Sequence, residues 1–144
     1  GLIYPGHDAQ PKMLHNESGK FESAFLNVDI LENNSVMLRN MAGKRLGIWV
    51  AHGEGKFSLP MAEEHYLIPM KYSYEAYPGN PNGSDYNAAA IVSQNGRHLA
   101  MMPHLERSIY PWNWAYYPGA RAADEVSPWV EAFVNARKWI NKMA

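Results

Sequence analysis

The segment Met101-Met102-Pro103-His104-Leu105-Glu106-Arg107 sets an imidazole and a carboxylate two residues apart, where an apolar run gives way to polar residues. Loops at strand ends are common seats of catalysis because a rigid scaffold aims them. If the backbone stays extended there, residues i and i+2 project to one side, and Glu106 can hold one nitrogen of His104 and fix its tautomer. The other nitrogen is then free to take a proton, which activates a serine or cysteine within hydrogen-bond reach. Spacing alone leaves a second reading open, a hydrogen-bonded histidine beside a surface glutamate. The sequence contains no cysteine, so a thiol nucleophile is not among its residues.

His52-Gly53-Glu54-Gly55 repeats the His-x-Glu spacing, and its glycines let a ligand approach the backbone closely. Together, His52, Glu54, His104 and Glu106 are ligand types that suit zinc or iron, so a metal-dependent hydrolase is one alternative. Their spacing matches no helical metal motif, and no metal is assigned. Asn80-Pro81-Asn82-Gly83-Ser84 lacks the spacing and the lysine of a phosphate loop and reads as a solvent-exposed turn. Tyr110, Trp112, Trp114, Tyr116 and Tyr117 have no basic surround for a nucleobase and read as packing a long loop against the body.

These residues need elements to hold them. Phe21 to Leu31 alternates at strand spacing, with Glu22, Ala24, Leu26, Val28 and Ile30 on one face and Phe21, Ser23, Phe25, Asn27 and Asp29 on the other. Ser35 to Met41 fits a single helical turn capped by Asn34 or Ser35 and ended by Gly43. Leu46 to Val50 is a buried strand running into the glycine loop at 51–55, and Leu67 to Tyr74 is a further strand. Ala88 to Ser93 and His98 to Met102 flank Gln94-Asn95-Gly96-Arg97, whose Asn-Gly signals a hairpin turn. Ser127-Pro128 opens a C-terminal amphipathic helix with Trp129, Phe133, Ala136 and Ile140 on its apolar face and Asn135 away from it. Residues 1–18 read as an irregular surface arm.

At 144 residues, 47% hydrophobic and 19% charged, the composition is that of one globular domain. A net charge of −1 without blocks of like charge argues against nucleic-acid or membrane partners. No apolar stretch approaches the ~18 residues of a span. The lack of cysteine fits a reducing cytoplasm, and a start at Gly1 rather than Met points to a piece of a longer polypeptide.

In this order, Ala51-His52-Gly53-Glu54-Gly55, Asn80-Pro81-Asn82-Gly83-Ser84 and Met101 to Arg107 resemble the glutaminase domain of the phosphoribosylformylglycinamidine synthases. The likeness extends to Phe21-Glu22, to Ser127-Pro128-Trp129 and to Phe133 through Lys138, so it covers nearly the whole chain. It implies an α/β fold: the C-terminal part of a flavodoxin-like class I glutamine amidotransferase domain, strand-rich, with a β-hairpin and a C-terminal amphipathic helix. Residues 1–144 would form a partial glutaminase domain, with 1–18 the arm and 19–144 the body.

In such a domain a cysteine on a strand-to-helix elbow attacks the carboxamide of glutamine. By motif match His104 is the general base and later acid, Glu106 its orienting carboxylate, and His52, Gly53 and Glu54 line the glutamine pocket largely through backbone groups. The ammonia passes to a synthetase domain that uses ATP and Mg2+ to convert formylglycinamide ribonucleotide to the amidine in purine biosynthesis; no cofactor is expected in this segment.

Two departures stand out. Leu105 replaces the family's usual proline, which loosens the backbone but leaves both functional groups in place. The cysteine elbow, upstream in the family, is missing with the first half of the parallel sheet. The chain alone is therefore expected to be inactive, with glutamine and the remainder of the synthase as partners and self-association through the apolar edges left uncovered. The rival from another class is a stand-alone, non-catalytic interaction module of amidotransferase descent.

Overall fold

Two long strands organise the chain. In the computed structural model, which describes residues 1–143, β2 (Glu22–Ile30) and β3 (Arg45–His52) pair antiparallel without a break from Glu22↔His52 to Asp29↔Arg45. Strand alternation puts Ala24, Leu26 and Val28 opposite Val50, Ile48 and Leu46. That face forms the main core with Leu38, Met41, Met70, Tyr72, Leu105 and Trp129. On the opposite face Phe25 lies across from Trp49, with ring centroids 5.2 Å apart. The connection between the strands holds the expected turn: Ser35 Oγ accepts from the N–H groups of Met37 and Leu38 at 3.3 and 3.4 Å.

β5 (Met70–Tyr72), β6 (Ala88–Val92) and β7 (Leu99–Met101) extend the sheet in the order β3-β2-β5-β6-β7. β5 is shorter than the apolar run from Leu67 to Tyr74, because Pro69 has no N–H for a ladder and the register against β6 shifts between Met70 and Lys71. The hairpin joining β6 and β7 forms as the Asn-Gly signal predicts. Gly96 has φ +72°, and a Cβ there would overlap the carbonyl of Asn34, so the position tolerates glycine alone.

Every strand pairing among the described residues is antiparallel. Parallel neighbours need a crossover connection, usually a helix, and here the α-helix among the described residues follows all the strands. The parallel part of a flavodoxin-like sheet is thus not built from these residues.

The N-terminal segment is docked rather than loose. Lys12–Leu14 forms β1 and pairs with β4 (Lys56–Ser58), and Tyr4 is buried in a second core cluster with Phe57, Leu59, Tyr66 and Ile91. Its hydroxyl accepts from the Leu67 N–H at 3.1 Å. Apolar anchors inside the Pro- and Gly-rich stretch hold a segment that its turn residues alone describe as irregular.

The C-terminal helix α1 (Val130–Met143) starts where Ser127 predicts, with Ser127 Oγ accepting from the Trp129 N–H at 3.2 Å. Its inward face differs from the expected one. Trp129, Ala132 and Asn135 are fully buried, while Phe133 and Ile140 are 43% and 55% exposed. The reason is Asn135: it donates to the Met37 carbonyl and accepts from Asn40 Nδ2, both at 2.9 Å, so burying its amide leaves no orphaned group. No described helix is long and apolar enough to cross a membrane.

Candidate active site

His104 and Glu106 meet. After β7 and Pro103, the His104 N–H donates to the Trp49 carbonyl at 2.8 Å, an isolated bridge that pins the segment to β3. Leu105 then inserts into the main core and opens a short 3-10 turn, Leu105–Arg107. With the middle residue buried, its neighbours stay outside, and His104 Nδ1 lies 2.6 Å from Glu106 Oε1. Burial of Leu105 supplies an anchor where the backbone restraint of a proline is absent.

A carboxylate only accepts, so Nδ1 carries a proton, and in the neutral form of the imidazole Nε2 keeps its lone pair. Partial burial pushes the Glu106 carboxyl up, but the His104 hydrogen bond, its own main-chain N–H and the charges of His104 and Arg107 outweigh that and hold it below the usual carboxylate range. Glu106 is therefore ionised at neutral pH. The side chains are 28% and 62% exposed, so the pair is open on one side to an incoming group.

A residue the sequence did not single out ties this turn to its surroundings. Ser108 is fully buried; its Oγ donates to the His104 carbonyl at 3.3 Å and accepts from the Trp49 N–H at 3.4 Å. Its carbonyl accepts from Ser127 Oγ at 2.5 Å and from the Trp114 indole at 2.8 Å. The His104–Glu106 turn, β3, the aromatic loop and the cap of α1 thus share one residue. A serine with no motif around it gives no sequence signal for that role.

The aromatic loop divides. Trp114 packs against the core and lies 5.5 Å from the Phe25 ring, as a loop-anchoring residue should. Trp112 stacks flat on Tyr110 at 4.4 Å but is 73% exposed.

The second His-x-Glu pair does not form. His52 ends β3 with its side chain buried: Nδ1 lies 3.1 Å from Asn16 Oδ1, and Nε2 lies 3.4 Å from Asn82 Nδ2. An amide oxygen accepts and an amide nitrogen donates, so the imidazole is neutral and protonated on Nδ1. Glu54 turns outward to His15 at 3.6 Å. The two pairs accordingly do not converge, and among the described residues no group of three or more His, Asp or Glu side chains could hold a metal ion.

Asn80, Asn82 and Ser84 are not an exposed turn but a buried polar ridge. Asn82 Nδ2 also donates to the Tyr72 hydroxyl at 3.1 Å, and its Oδ1 accepts from Ser84 Oγ at 2.6 Å. Side-chain amides able to saturate one another explain why so polar a stretch is buried.

Burial pushes the His52 pKa down and the nearby His104 adds to this, against smaller opposing effects of a backbone hydrogen bond and of Glu22. The unfolded chain, with an ordinary value of ~6.5, binds a proton that the folded chain refuses. Stability from this site is complete above about pH 6.5 and is lost as pH falls toward the lower folded value. Thermal melts should show that loss in the wild type and a shallower one in His52→Gln; identical pH profiles would contradict it.

Residues 1–140 match the family described as the CobB/CobQ-like glutamine amidotransferase domain. The chain is 44% identical to the probable phosphoribosylformylglycinamidine synthase, chloroplastic/mitochondrial, of Arabidopsis thaliana, over 92% of this chain and 10% of that protein. It is 42% identical to phosphoribosylformylglycinamidine synthase of Homo sapiens, over 93% of this chain and 11% of that protein. It therefore spans about a tenth of the length of these relatives. Among solved structures, that of PurLQS from Thermotoga maritima superposes with a TM-score of 0.68 over 91% of this chain and 53% of that chain, at 20% identity, a likeness of fold. By the match across 1–140, the chain belongs to the CobB/CobQ-like glutamine amidotransferase domain family.

Proposed function

We propose that this chain is the base-carrying segment of the glutaminase in a phosphoribosylformylglycinamidine synthase. The observation that carries the reading is the 2.6 Å contact between His104 Nδ1 and an ionised Glu106, which leaves Nε2 to accept a proton. The nucleophile is a cysteine elsewhere in the longer polypeptide, because this sequence has none. His104 takes the thiol proton as sulfur attacks the carboxamide carbon of glutamine, then gives it to the departing ammonia. It next takes a proton from the water that attacks the thioester and returns it to the cysteine sulfur as the C–S bond breaks and glutamate leaves. Glu106 stays ionised throughout and stabilises the imidazolium.

Gly53 and Glu54, held beside the buried His52, offer main-chain groups to the glutamine. The antiparallel sheet is the outer part of a larger, flavodoxin-like domain whose parallel strands come from the rest of the polypeptide. In the whole enzyme the ammonia is used by a synthetase domain, with ATP and Mg2+, to convert formylglycinamide ribonucleotide to its amidine. The same reading places the protein in the cytoplasm, although the Arabidopsis thaliana relative is named as chloroplastic/mitochondrial.

Ammonia release from glutamine tests this. The full-length polypeptide should release it and the 144-residue chain should not. Turnover by the short chain alone would overturn the assignment of the nucleophile to another segment.

A further inference from the structure

We propose that Asn16 is a positioning residue for the glutamine loop at 52–55, setting the direction of its main-chain donors; this rests on the glutaminase reading above. Asn16 lies in the N-terminal segment, far in sequence from the loop, and is 2% exposed. Its Oδ1 accepts from the Gly55 N–H at 2.9 Å and from His52 Nδ1 at 3.1 Å. Its Nδ2 donates to the carbonyls of His52 at 2.6 Å and Lys20 at 2.8 Å. Its own main-chain N–H donates to the Gly53 carbonyl at 2.8 Å. An asparagine side chain has two donors and two acceptor sites, and all are used here.

The consequence follows from peptide geometry. In a trans peptide the C=O and the N–H point in opposite directions. Asn16 draws the carbonyls of His52 and Gly53 toward itself, so the N–H groups in those same two peptides, those of Gly53 and Glu54, point away from it. Two adjacent donors are thereby aimed together out of the loop, fit to receive an acceptor group of the substrate.

The loop is held closed from inside as well. A Cβ at Gly55 would lie 2.5 Å from the His52 imidazole, so only glycine lets the chain fold over that ring. Asn82, from a segment with no other assigned part in the reaction, caps the ring's far nitrogen. Three stretches separated in sequence meet at one histidine; Ser84 Oγ reaches the Gly55 carbonyl at 3.4 Å, and Asn16 is the member that holds the His52 and Gly53 carbonyls.

The test uses the full-length synthase with glutamine or ammonium as nitrogen donor. Asn16→Ser and Asn16→Asp should raise the KM for glutamine about tenfold or more, with a smaller change in kcat and ammonium-dependent turnover retained. A glutamine KM within twofold of wild type in either variant that keeps ammonium-dependent turnover would overturn the proposal. Amide hydrogen exchange in the wild-type full-length polypeptide gives a check that needs no variant. The Gly55 N–H should be protected and those of Gly53 and Glu54 should exchange fast; the reverse order would overturn it. Failure of the glutaminase reading is seen separately, as glutamine-dependent turnover unaffected by His104→Ala.

Discussion

Replacing His104 by alanine in the full-length synthase is expected to lower glutamine-dependent turnover by about 10³-fold or more while leaving ammonium-dependent turnover intact. No described neighbour stands where the lost base stood: Glu106 lies on the Nδ1 side of the ring, away from the Nε2 position that receives the proton, and His52 is buried with both ring nitrogens engaged. The loss should fall mainly on kcat, because the imidazole acts on protons in flight rather than on the bound substrate. Glu106→Gln should also reduce kcat, since an amide can hold Nδ1 without the negative charge that stabilises the imidazolium. Steady-state rates with glutamine and with ammonium, measured on the same preparations, separate a catalytic defect from a folding one.

The largest effect on stability is expected at Trp129. It is fully buried in the main core, and its indole donates to the Gly47 carbonyl at 2.8 Å. Trp129→Ala should cost about 3–5 kcal/mol from the cavity, with about 1–3 kcal/mol more if the Gly47 carbonyl is left without a partner. Against a typical total of about 5–15 kcal/mol, that is enough to remove most of the cooperative transition in a urea melt. Phe133→Ala on the same helix should change the midpoint little, because Phe133 is half out of the fold. Equal losses at the two positions would mean that α1 docks through the face drawn from periodicity alone.

That contrast shows what could be read from the sequence and what could not. Strong local signals were legible: alternation in β2, the Asn-Gly turn between β6 and β7, the Ser127 cap and the His104 to Glu106 spacing all appear where residue types place them. The misread face of α1 and the misread turn at 80–84 share one physical cause, the saturation of buried polar groups by one another. Asn135 looks like a solvent-facing residue until Asn40 and the Met37 carbonyl satisfy it. Asn80 to Ser84 has the composition of an exposed turn, yet its amides and hydroxyl saturate one another and His52. Asn16 and Ser108 carry no motif; their importance comes from which carbonyls and N–H groups the fold brings to them. Hydrophobic periodicity sees none of this, because buried amides count as polar wherever they sit.

In the proposed function this chain carries the base of a glutaminase whose nucleophile lies in another segment. The most direct test is mass spectrometry of the full-length polypeptide after reaction with a glutamine analogue bearing an electrophilic carbon at the carboxamide position. One adduct is expected, on a cysteine outside these 144 residues, formed far more slowly in His104→Ala. An adduct on a side chain within these residues, or labelling at an unchanged rate without His104, would contradict it.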